Sequence, residues 1–219
     1  MTDYLSIYEK AISSLEDPIL TQIYTQSKIE FCSKMYTHLM RAIWLFNTPY
    51  YEVEKLNNAA TAPTSAAVYA TGDGTTVTFT IDNPLQGNSS LITEGYVDGK
   101  RVDGYYNEEL HTFTFKSAPA LNSQIIFNQY LTGCFSLSLN QTEETILALL
   151  LVSCWSEKEE NFLLDIRRLL TTSDFKLHDS SSVLRSKVNW HYTMYEQAQK
   201  LMNNYSLTLM KKGVLSGNY

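Results

Sequence analysis

The spacing between apolar residues changes twice along this chain, and those two changes set its fold class. Up to about residue 58 apolar side chains recur at helical spacing, from 62 to 133 they alternate with polar ones, and from 140 to 212 the helical spacing returns. Helices and half-buried strands bury different faces, so the two patterns call for two kinds of layer. The chain is expected to be α+β: an antiparallel bundle of three to four helices carrying an inserted small antiparallel β-sandwich or barrel. The predicted division is a discontinuous helical domain, 1–61 and 134–219, and a β domain, 62–133, with an Ala/Thr/Pro linker over 59–64.

In the first helical part, Pro18 follows Asp17 at a good first helical position, and Ile19, Ile23, Phe31, Met35, Leu39 and Ile43 recur at multiples of four until Asn47 and Pro49. This predicts one helix over 18–46, preceded by a shorter one over 3–15 with Leu5, Tyr8, Ile12 and Leu15 on one face. The second part opens with Asn140 and, three residues on, Glu143, a capping-box spacing that satisfies free backbone N–H groups at a helix start. That helix carries the apolar stretch 146–155, then Phe162, Leu163, Ile166 and Leu169, before Thr171-Thr172-Ser173-Asp174 ends it. The last helix, predicted over 181–212, has Leu184, Val188, His191, Tyr195, Ala198, Met202, Tyr205 and Leu209 spaced alternately by four and three. Such a seam needs a partner, either another helix of the chain or a neighbouring copy. Lys211, Lys212 and Gly213 suit its C-terminal end.

The middle of the chain alternates at Thr75–Ile81, Leu110–Phe115 and Gln124–Phe127, with turn signals at Gly72-Asp73-Gly74, Asn83-Pro84, Asp98-Gly99 and Ala118-Pro119. Asp98-Gly99 between Tyr96-Val97 and Arg101-Val102 is a hairpin signature, because both turn residues tolerate positive φ.

Charge and length exclude several classes. Seventeen Lys and Arg against 23 Asp and Glu give a net charge of -6, which leaves no basic footprint for gripping nucleic acid. With 44% hydrophobic and only 18% charged residues, the chain is not a disordered one. Its longest apolar run, 146–155, is about half the roughly 20 residues that cross a bilayer, so no membrane span is expected. The opening Met1-Thr2-Asp3-Tyr4-Leu5 lacks the basic and apolar regions of a secretory signal, so use in a cytosol is expected. Cys32, Cys134 and Cys154 share no paired spacing and read as buried free thiols.

Residues that could carry chemistry are scattered. The nucleophile-elbow, zinc-protease and phosphate-loop motifs are absent, so no enzymatic activity, cofactor or metal site is expected. His38, His111, His178 and His191 fall on different predicted elements; His191, in an apolar seam, reads as a buried pH switch or a histidine bonded at the seam edge, the second being favoured. Glu157, Glu159 and Glu160 suggest a solvated face or an inter-subunit contact rather than a carboxylate pair, since Lys158 is interleaved and Arg167 and Arg168 follow. Asp73, Asp98 and Asp103 adjoin glycines and read as turn residues rather than calcium ligands. Tyr96, Tyr105 and Tyr106 read as strand packing, with a carbohydrate or protein contact surface as the alternative.

Two stretches carry a resemblance. The opening Tyr4-Leu5-Ser6-Ile7-Tyr8-Glu9-Lys10, with Leu15-Glu16-Asp17-Pro18-Ile19-Leu20 and Met40-Arg41-Ala42-Ile43-Trp44-Leu45-Phe46-Asn47, resembles the N-terminal region of tailed-phage neck proteins, the head-to-tail connector or adaptor family. Leu139-Asn140-Gln141-Thr142-Glu143-Glu144-Thr145-Ile146-Leu147-Ala148 and the two helices after it follow that family's order of elements. The chain departs from the pattern over 48–133, where a compact adaptor has a short connection. There Gly72-Asp73-Gly74-Thr75-Thr76-Val77-Thr78-Phe79-Thr80, Tyr96-Val97-Asp98-Gly99-Lys100 and Phe113-Thr114-Phe115-Lys116-Ser117-Ala118-Pro119 resemble small β modules of phage tail and fibre proteins.

The resemblance implies a structural virion protein, assembled in the host cytoplasm and placed in the neck at the head–tail junction. It would form a homo-oligomeric ring, twelve-fold in such adaptors, between the portal protein and other neck or tail rings. Genomic DNA would pass through without specific binding, and no membrane would be involved. In related adaptors the C-terminal segment reaches the portal, which points to Leu209, Lys211, Lys212, Val214, Leu215 and Tyr219 for a portal or neighbour contact, a frayed terminus being the plain alternative. The inter-helix or inter-subunit seam would be Leu184, Val188, His191, Tyr195, Met202 and Tyr205. The alternative function is a fibre- or collar-attachment or receptor-binding accessory that works through the β domain.

Overall fold

In the computed structural model the backbone is described for residues 1–14, 18–46, 56, 59–170 and 180–216, and side chains for 1–14, 20–46, 56, 61–158 and 189–212. The elements are β1 (Thr2–Asp3), α1 (Tyr4–Ser14), α2 (Pro18–Gln26), α3 (Lys28–Leu45), β2 (Ala59–Thr61), β3 (Thr64–Thr71), β4 (Thr78–Thr80), β5 (Leu91–Val97), β6 (Lys100–Val102), β7 (Gly104–Asn107), β8 (Thr112–Phe115), β9 (Gln124–Leu131), β10 (Cys134–Phe135), α4 (Gln141–Leu170) and α5 (Ser180–Ser216). The α+β class expected from the two changes of periodicity is what the chain adopts, with five helices among the described residues.

The chain forms two compact units. The first takes Met1–Leu5, Ile19–Ser33 and Ala59–Ser136; the second takes Ser6–Pro18, Lys34–Asn58 and Leu137–Tyr219. This division differs from the expected one, because 1–5 and 19–33 join the sheets. Hydrogen bonds of side chains and backbone explain the difference. Asp3 accepts the Thr132 hydroxyl at 2.6 Å, the Tyr4 N–H donates to the Gly133 carbonyl at 3.1 Å, and the Ser27 hydroxyl reaches a carboxylate on β5.

The first unit is built on three antiparallel sheets, ordered β1-β10-β2, β3-β9-β5-β6 and β4-β8-β7. Val68, Ala70, Val97, Val102, Ile125 and Phe127 of the four-stranded sheet meet Phe79, Tyr106, Phe113 and Phe115 of β4-β8-β7 in one core that also takes Ile81. Phe113 and Phe127 lie with ring centroids 5.3 Å apart, and Phe79 meets Phe115 edge-on at 5.8 Å. The β5–β6 hairpin turns at Asp98 and Gly99, with φ of 50° and 77°, as their sequence predicts. The linker expected at 59–64 is instead strand β2 at its start: Thr61 pairs with Cys134, so the two ends of the sheet region are hydrogen-bonded neighbours.

The single helix expected over 18–46 is two. Ser27 interrupts it, its hydroxyl accepting the Glu30 N–H at 3.0 Å as an N-cap of α3. Ser27 and Glu30 have capping-box spacing, a signal the apolar period of four obscured.

The second unit is dominated by α4 packed against α5. Asn140 and Glu143 cap α4 reciprocally: the Glu143 N–H donates to Asn140 Oδ1 at 3.0 Å and the Asn140 N–H to Glu143 Oε2 at 2.7 Å, as their spacing predicts. The last helix extends beyond 212 to Ser216, because Gly213 keeps helical geometry instead of the left-handed conformation that stops a helix.

Candidate functional site

The helix seam is where the sequence places most of its interaction residues. His191, Tyr195 and Tyr205 are half-buried and Ala198 and Met202 buried, while the side chains of Leu184 and Val188 lie outside the described residues. The face packs on α4 of the same chain. His191 Nδ1 lies 2.9 Å from the Ser153 carbonyl and 3.1 Å from its hydroxyl, which puts the proton on Nδ1 and makes this a bonded seam histidine. At the other end the Tyr205 hydroxyl donates to Glu143 Oε1 at 2.7 Å and accepts from Asn140 Nδ2 at 3.0 Å. Burial, and then the hydrogen bond to Glu143, push the Tyr205 phenol up to about 12. The cap of α4 and the seam of α5 are thus one network, with Lys10 of α1 paired to the adjacent Glu144.

The proposed portal-contact residues divide. Leu209 is half-buried, Lys211 and Lys212 are exposed, and the side chains of Val214, Leu215 and Tyr219 lie outside the described residues.

Residues weighed for chemistry have local partners. Glu157 pairs with Arg41 at 2.8 Å on the surface; the side chains of Glu159 and Glu160 are not among the described ones. Asp73 accepts the N–H groups of Thr75 and Thr76 and the Thr76 hydroxyl, hydrogen bonds that hold its carboxyl well below the ordinary range. Asp98 Oδ1 accepts the Gln124 N–H at 2.8 Å, and Asp103 pairs with Lys116 at 2.8 Å. Among the described residues no group of three or more potential metal ligands occurs. The three tyrosines do not form one surface: Tyr106 packs against the β core, Tyr105 stands 69% exposed, and Tyr96 donates to Glu94. The three cysteines are free and buried, and burial raises the Cys154 thiol to about 11, which keeps it protonated and unreactive.

The strongest cluster was not legible in the sequence. Glu94, in the middle of β5, is 4% exposed. Its Oε2 accepts the Ser27 hydroxyl at 2.8 Å and the Tyr96 hydroxyl at 3.1 Å; Oε1 accepts the Ile29 N–H at 3.4 Å and lies 3.8 Å from Arg101 Nε. A carboxylate therefore sits at the N-terminus of α3, where free N–H groups and the helix dipole favour negative charge. Burial, and then the Glu94 charge, raise the Tyr96 phenol above its ordinary range. With every contact supplied by the chain itself, this is an anchoring site between helix and sheet. The sole sequence cue is a charged residue inside an apolar strand pattern.

No family model, curated protein or solved structure matches the chain.

His38 adds a pH response. Its ring meets Trp155 edge-on, with centroids 5.4 Å apart. Burial holds its pKa below the ordinary 6.5, Lys158 and Arg41 add to that effect, and a hydrogen bond to the Cys154 backbone opposes it. The unfolded chain therefore takes up this proton at higher pH than the folded one, so stability is full above pH 6.5 and is lost as pH falls through it toward the lower folded value. The melting temperature should fall more steeply between about pH 7.5 and 5.5 in the wild type than in His38→Gln; equal slopes would show that His38 charges as readily in the fold as out of it.

Proposed function

We propose that the chain is a structural component of a phage neck, a head-to-tail adaptor that forms a ring between the portal and the tail around the DNA exit channel. The observation that carries this reading is the order of elements: three helices, a β region whose two ends are adjacent, and then the long antiparallel pair α4 and α5. That order accords with the resemblance in the two helical stretches. A binding role also fits side chains whose polar groups are spent on caps, turns and ion pairs. No helix among the described residues is long and apolar enough to cross a membrane. The net charge of -6 suits passage of DNA without phosphate contacts.

The test is immunogold electron microscopy of the virions with an antibody against residues 62–133. Label at the head–tail junction is expected. Label at fibre tips would instead favour an accessory that works through the β region, and unlabelled virions would overturn both readings.

A further inference from the structure

Every sheet with open edges presents unpaired backbone groups, and proteins commonly blunt such edges by keeping them short, charged, bulged or interrupted by proline. Five of the edge strands here are two to four residues long: β1, β2, β4, β6 and β7. Of these, β6 also carries Lys100 and Arg101. Strand β3 differs. It is an edge of the four-stranded sheet and runs eight residues, Thr64-Ser65-Ala66-Ala67-Val68-Tyr69-Ala70-Thr71, with no charge and no proline. Its register with β9 is unbroken from Thr64↔Leu131 to Thr71↔Gln124. Among the described residues no backbone hydrogen bond joins β3 to anything but β9, so alternate N–H and C=O groups along its other edge lack a strand partner.

We infer that β3 pairs with β3 of a second copy, making one continuous antiparallel sheet across a twofold axis. The faces dictate the register. Val68 and Ala70 turn to the core, while Ala67, Tyr69 and Thr71 are exposed on the opposite face. A continued sheet keeps like faces together, so residues of the same parity must oppose each other. Centring the pair on Val68 places Ser65 opposite Thr71, Ala66 opposite Ala70 and Ala67 opposite Tyr69 of the other copy, and leaves Pro63 outside the ladder. Tyr69, 67% exposed, then lies across a small alanine on each side of the axis, where its ring has room to pack. An uncharged strand meets no like charge in its own copy. The contact is isologous and closes at two chains. It concerns the free chain in solution and does not rest on the adaptor reading.

Light scattering after gel filtration of the full chain, over a concentration series, should give twice the 25.0 kDa chain mass. The double variant A67E/Y69E sets Glu against Glu at both cross-strand positions and should halve that mass. A67K/Y69E sets Lys against Glu and should restore it, which a general loss of folding would not do. A single-chain mass for the wild type at every concentration overturns the inference, and so does an oligomer that persists in A67E/Y69E. If circular dichroism shows that A67E/Y69E does not fold, amide exchange of the wild type decides instead. Protection within 64–71 that rises with concentration supports the pairing, and protection independent of concentration overturns it.

Discussion

Gly95→Ala and Gly104→Ala should each destabilise the β unit by about 3 kcal/mol, the upper part of the usual range for overpacking a core. Both glycines lie against the same ring. A Cβ on Gly95 would stand 2.7 Å from Phe113 Cε1 and 2.9 Å from Phe115 Cε1; one on Gly104 would stand 2.3 Å from Phe113 Cε1 and 2.7 Å from the Thr114 carbonyl. Neither glycine has positive φ, so the constraint is space and not backbone conformation. Phe113 has little room to yield, since its ring is buried and packs against Phe115 at 5.0 Å and Phe127 at 5.3 Å. Thermal unfolding should show a fall of roughly 6–12 °C for each substitution. Shrinking the ring should relieve part of the clash, so Gly95→Ala with Phe113→Leu should lose less than the sum of the two single losses. A loss below about 1 kcal/mol for Gly95→Ala, or strict additivity in the pair, would mean that the sheets separate freely at this point.

How much of this was legible beforehand depends on the range over which each signal acts. The cap at Asn140 and Glu143 and the turn at Asp98-Gly99 are local patterns that take the form their spacing predicts, and His191 and Tyr205 of the α5 seam bond to α4. Ser27 was local too, but an apolar period of four ran through it and outweighed the N-cap that the hydrogen bond from the Glu30 N–H to the Ser27 hydroxyl makes plain. Gly213 carried a stop signal that the helix ignores, because a glycine ends a helix only by turning left-handed. The remaining differences are non-local. That Thr61 would pair with Cys134, that Asp3 would bind Thr132, and that Glu94 would meet Ser27 depends on residues 67 to 129 positions apart in the chain for the side-chain pairs, which spacing rules do not reach. For the same reason the anchor at Glu94 appeared in the sequence only as a charged interruption of a strand.

Glu94→Gln is expected to cost about 3 kcal/mol, close to the loss on removing one partner from a buried charged network. Its volume is nearly that of glutamate, so little of the effect comes from packing. Ser27 and Tyr96 hydroxyls and the Ile29 N–H all point donors at the carboxylate, and the amide can accept through one oxygen while its NH2 adds donors to a site already supplied with them. The Arg101 guanidinium, 3.8 Å away, also loses its counter-charge, but it is partly exposed and water compensates for most of that term. Ser27→Ala removes both the hydroxyl given to Glu94 and the cap of α3, and should cost about 1–2 kcal/mol alone. Because the two share one hydrogen bond, the double variant should lose clearly less than the sum. Amide exchange adds a readout of place: in Glu94→Gln the first turn of α3 should lose protection more than the β8 amides beside the aromatic core. Uniform loss across both would make Glu94 a general contributor to the fold, and Glu94→Gln as stable as the wild type would remove it as the anchor of α3.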